Sequence, residues 1–93
     1  MRFRPALEGY SLQGHVLKAL RLQTESMCEV NCYMEHNCVS YNFASWDEDG
    51  AYRCELSNSD HDTHPEALVR QNGVTYRPTE VCLVFLTYCY NLL

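Results

Sequence analysis

The spacing of apolar and polar residues changes period several times along the chain, and each change predicts an element. In Gly9–Gly14, Tyr10 and Leu12 are two apart and share one side of a strand, and Gly14 permits a bend or bulge. His15–Leu22 mixes apolar and basic residues and is most simply a second strand, although Val16, Leu17 and Leu20 also fit a helical period. Ser26 followed by Glu29 has the form of a capping box. The residues from there through Glu35 contain no Gly or Pro, so a helix is predicted. Val39–Ser45 alternates apolar and polar as a half-buried strand does. Asp49-Gly50 marks a tight turn, and Ala51–Leu56 returns as the partner strand. Asn58–Glu66 is polar and reads as a surface loop, with Pro65 opening a short helical turn through Val69. Asn72-Gly73 reads as a turn before a short closing strand, Val74–Arg77, stopped by Pro78. Met1–Glu8 is expected to be a frayed lead-in, with Phe3 and Leu7 touching the core.

The predicted helix and hairpin carry four of the six cysteines. Cys28 and Cys32 are one helical turn apart and leave the same face, Cys38 opens the first strand and Cys54 lies on the second. Four cysteines allow about three pairings. Cys38 follows the helix end closely and Cys32 is the cysteine near it, which favours Cys32–Cys38 with Cys28–Cys54. A helix pinned across a hairpin in this way is a disulfide-stapled α+β fold.

Composition narrows the classes. A chain of 93 residues makes one domain with a modest core, and small domains commonly need staples. Cysteine this dense predicts an oxidising compartment. A formal charge of −5 argues against nucleic acid as the main partner. No apolar run is long enough for a membrane-spanning helix. Met1-Arg2-Phe3-Arg4-Pro5 lacks the apolar stretch of a signal peptide. The expectation that reconciles these readings is a fragment of a larger, secreted multidomain protein. Val81–Leu93 is nearly all apolar, contains Cys82 and Cys89, and has high β-propensity. Two readings of it stay open: an extra strand, or sequence outside the domain.

At this point the residues resemble the PAN/apple domain family, the short PAN type in particular. The resemblance rests on Gly9-Tyr10-x-Leu12-x-Gly14-His15, Cys28-x-x-x-Cys32, Cys38-x-Ser40-Tyr41-Asn42-Phe43, Cys54-Glu55-Leu56-Ser57-Asn58 and Gly73-x-Thr75-Tyr76. It covers residues 7–77 and leaves 78–93 as an apolar, cysteine-containing tail. It implies a curved antiparallel sheet cradling one α-helix, with Cys28–Cys54 and Cys32–Cys38 tying the two together. It also implies an extracellular, non-catalytic adhesion module that binds protein or glycan. The longer apple form adds a bridge between its terminal strands. No cysteine precedes Cys28 here, so Cys82 lacks that partner and is left to pair with Cys89 or with a following module.

Candidate chemistry is sparse. Cys28, Cys32, Cys38 and Cys54, with His36 nearby, could serve a small intracellular zinc-binding or redox-sensing thiol protein, but the spacing is not that of common zinc knuckles. Asp47-Glu48-Asp49-Gly50 fails the register of a calcium loop, and His61-Asp62-Thr63-His64 reads better as a polar loop than as a metal site. No nucleophile or acid–base grouping emerges, so neither enzymatic activity nor a cofactor or metal is expected. For binding, the candidates are Lys18 and Arg21, which Arg2 and Arg4 could join in a basic patch for sulfated glycans, and Trp46 near the hairpin tip as a protein anchor.

Overall fold

A computed structural model describes residues 2–45, 50–83 and 88–90. Strands β1 (Leu7–Leu12), β2 (Val16–Leu22), β3 (Ser40–Ser45), β4 (Tyr52–Ser57) and β5 (Leu68–Pro78) form one antiparallel sheet in the order β1-β5-β3-β4-β2. The helix α1 (Glu25–Met34) packs across β3 and β4, and β6 (Val81–Leu83) pairs with β7 (Tyr88–Tyr90) as a separate hairpin. This is the predicted α+β fold with one helix on an antiparallel sheet.

The side of the sheet that meets α1 is dry. Cys28 and Cys32 are fully buried on the inner face of the helix, against Tyr41, Cys54 and Leu56 from the strands. Leu20, Leu22, Phe3 and Phe43 pack around them. Cys28 is bonded to Cys54 and Cys32 to Cys38, the pairing expected from the sequence. Two polar contacts add to the sulfur. The Tyr41 hydroxyl donates to Glu25 in the first turn of α1 at 2.7 Å, and Arg77 pairs with Glu29 at 2.9 Å.

The boundaries differ from the sequence reading in several places; the turn opened by Pro65 stops at Ala67, and Leu68 and Val69 already belong to β5. Thr24, not Ser26, caps the helix: its Oγ1 accepts from the Met27 N–H at 3.3 Å, and Ser26 lies inside the first turn. Both residues satisfy the same local cap chemistry. Asn72-Gly73 does not reverse the chain. Leu68–Pro78 is one strand, and the residues between Arg70 and Thr75 bulge while β1 advances from Tyr10 to Glu8. Gly73, at φ +85°, supplies the left-handed residue that such a bulge needs. The lead-in is not frayed. Phe3 bridges to Thr79 and meets the Tyr41 ring edge-on at 5.4 Å, and the Arg4 N–H donates to the Pro78 carbonyl at 2.8 Å. Beyond Arg77, the Thr79 N–H reaches Val39 and the Glu80 N–H reaches Arg2. In the hairpin that follows, Cys82 and Cys89 stand opposite one another in backbone register.

Candidate binding surfaces

The sheet face away from α1 is built from the alternate residues of the same strands. Ser40, Asn42 and Ala44 of β3 lie beside Pro78, Tyr76 and Val74 of β5, and beside Ser57, Glu55 and Arg53 of β4. One half of this face is covered by residues 58–64 and by the lead-in. There Tyr76 is fully buried, and its hydroxyl accepts from the His61 N–H at 2.9 Å. Burial pushes that phenol up to about 12, against the lowering effect of the His61 hydrogen bond. Arg4 is 2 % exposed and donates to Asp62 at 2.6 Å and to the Thr79 carbonyl at 2.9 Å, with Asp60 at 3.5 Å.

The other half stays open as a groove of about 360 Å³. Its floor is Asn42, Ala44 and Val74, and its walls include Gln13, Gln71, Arg53 and Glu55. Asn42 is committed to structure: its Oδ1 accepts from the Leu12 N–H at 2.9 Å and its Nδ2 donates to the Leu12 carbonyl at 2.8 Å. It therefore holds the end of β1, which β5 otherwise separates from β3.

The predicted cationic patch does not assemble. Lys18 stands opposite Leu56 on the helix side of β2, whereas Arg21 stands opposite Arg53 on the groove side. Residues three apart on a strand face opposite ways. The neighbour of Arg21, Arg53, is paired with Glu55 at 2.9 Å. Arg4 cannot join them, because its guanidinium is buried between Asp60 and Asp62. Arg2 faces Glu80 at 3.6 Å. Trp46 and residues 47–49 of the hairpin tip lie outside the described residues. The four cysteines proposed as zinc ligands are joined in two buried bridges and offer no thiolate.

A surface that the sequence reading missed lies on the outside of α1. Met27, Val30, Tyr33 and Met34 are 42, 59, 60 and 75 % exposed. At 100° per residue they fall on one face, opposite Cys28 and Cys32. The signal was present as an apolar i, i+3, i+7 stripe, which is ordinarily assigned to a core. Here the cysteines take the inner face, and the stripe is turned outward.

Searches of curated proteins and of solved structures gave no match to this chain. A family model does match: the PAN domain, over residues 5–82. That span holds the whole five-stranded sheet, the helix and both bridges, and the chain belongs to the PAN domain family.

Proposed function

We propose that this PAN domain is a non-catalytic binding module of an extracellular protein, and that its ligand is a protein seated on the outer face of α1. PAN domains are protein- or carbohydrate-binding modules, and two disulfides suit an extracellular one. The observation that carries the choice of a protein is the exposed stripe of Met27, Val30, Tyr33 and Met34. Clustered apolar side chains on a surface mark contact sites, and methionine adapts to the shape of a partner. A sulfated glycan would require converging cations, and the sheet directs Lys18 and Arg21 to opposite sides.

The test sets an array of extracellular protein ectodomains against immobilised heparin. Ectodomain binding that changes little with salt, and that is lost when Val30→Asp and Met34→Ser are combined, supports this reading. The double variant is admitted only if both bridges form and unfolding stays cooperative. Tight heparin binding that survives the helix substitutions and disappears with Lys18→Ala/Arg21→Ala would overturn it, since sulfate contacts are electrostatic and screened by salt.

A further inference from the structure

Among the described residues, three potential metal ligands from two distant parts of the chain converge: His15, and His64 with Glu66. His15 sits in the connection between β1 and β2, His64 at the end of the covering loop, and Glu66 in the short 3-10 turn Pro65–Ala67. Their donor atoms lie within 4.8 Å of one another, both imidazoles are half-buried, and Glu66 is exposed. We infer that these three residues form a binding site for a divalent transition-metal ion, Zn2+ being the best fit.

The backbone segments that carry the ligands, and the ring of His64, are held in place before any ion arrives. The His15 carbonyl accepts from the Asn58 N–H at 3.0 Å, so the β1–β2 connection is tied to the start of the covering loop. The His64 N–H donates to the Asp60 carbonyl at 2.9 Å, and the His64 carbonyl accepts from Ala67 at 3.0 Å. The side chain of His64 is also held. Its Nδ1 lies 2.5 Å from the hydroxyl of Ser59, which is 6 % exposed. In the tautomer in which Nδ1–H donates to Ser59, the lone pair of His64 lies on Nε2 and is free for a metal. A ligating histidine is commonly oriented in this way, its second nitrogen bonded to a neighbour.

Two imidazoles and a carboxylate form a donor set that Zn2+ accepts, with a further position for water or a partner's group. Harder ions such as Mg2+ and Ca2+ favour sites built of oxygen. The ring centroids of His15 and His64 are stacked 4.2 Å apart, with 28° between the planes. Nitrogens bound to one zinc ion stand about 3.4 Å apart with their rings splayed. Binding therefore opens the stack by side-chain rotation and draws in the Glu66 carboxylate. The sequence-adjacent His61 takes no part: its ring meets the Tyr76 hydroxyl at 3.0 Å. The bound ion would clip the β1–β2 connection to the covering loop. Gly14 and Val16, which flank His15, line the polar groove, so the clip would also stiffen one rim of it.

The experiment titrates ZnCl2 into the full 93-residue chain with its disulfides intact, by calorimetry and thermal melting. The expected result is one Zn2+ per chain and a melting temperature that rises with zinc concentration. His15→Phe keeps an aromatic ring in the stack and removes the donor, so it separates ligation from packing; it and His64→Ala should each weaken binding at least about tenfold. Glu66→Gln should also weaken it, whereas His61→Ala and His36→Ala should stay within about twofold of the parent. Nuclear magnetic resonance of the imidazoles gives a second readout that needs no variant: zinc should shift His15 and His64 and leave His36 unmoved. The absence of saturable binding below about 1 mM, a range in which even weak extracellular metal sites bind, would overturn the assignment. So would binding that survives His15→Phe.

Discussion

The two faces of this sheet solve the same problem with different chemistry. The α1 side is held by two disulfides and an apolar cluster around Tyr41. The opposite side is held by single polar residues that reach between segments far apart in sequence: Asn42 to Leu12, Tyr76 to His61, and Arg4 to Asp62. Each face contains one fully buried tyrosine with its hydroxyl satisfied, by Glu25 on the helix side and by His61 on the other. In a small domain one dry core is not enough to fix every strand. A short helix covers one face, and the lead-in and a loop cover part of the other. Loops bring backbone groups that must be hydrogen-bonded, so polar side chains are the natural fasteners there.

The largest break in the comparison should come from the long bridge on the helix side. Cys28–Cys54 closes a separation of 26 residues and Cys32–Cys38 one of 6. Chain entropy then gives a loss of about 3.5 kcal/mol for Cys28→Ala/Cys54→Ala and about 2 kcal/mol for Cys32→Ala/Cys38→Ala. Urea unfolding of the two double variants measures both. Equal losses would show that local packing, not loop length, governs the sulfur side.

On the polar face, Asn42→Ala should cost about 2–4 kcal/mol, because it strands the N–H and the carbonyl of a fully buried Leu12. Amide exchange at Leu12 should accelerate, while amides in α1 change only as global stability changes. Unaltered exchange at Leu12 would mean that β5 alone holds the end of β1.

The tyrosines sharpen the comparison at smaller amplitude. Burial raises both phenols, Tyr76 to about 12, with the neighbouring Glu25 adding to the rise of Tyr41. The folded state therefore keeps protons that the unfolded chain releases near about pH 10. Their stabilising contribution is complete below that pH and is lost as pH rises toward 12 and above. Stability measured from pH 9 upward should fall, and Tyr76→Phe should make the fall shallower between about pH 10 and 12. An unchanged slope in that variant would assign the alkaline loss to the helix side.

The sequence by itself determined the helix and the β3–β4 hairpin, and it favoured a strand over His15–Leu22 and the pairing of the bridges. These follow from local period, from turn residues and from thiols placed one helical turn apart. The helix and hairpin involve neighbours in the chain, so a local pattern carries them; the Cys28–Cys54 bridge spans 26 residues and was favoured only once the helix and hairpin had been read. Only the tertiary structure decided the remainder. Asn72-Gly73 has the same local preference in a turn as in a bulge, and pairing with β1 on both sides selected the bulge. Thr24 and Ser26 are both good caps by local chemistry, and the fold uses Thr24. Arg4 looked like a free surface charge until the fold placed Asp60 and Asp62 around it. The apolar stripe of α1 resembled a core face until the cysteines took the inside. His15 and His64 meet although nothing near either residue announces the other. Each of these outcomes depends on which distant segment occupies the space beside a residue, and chain topology sets that where local preference cannot.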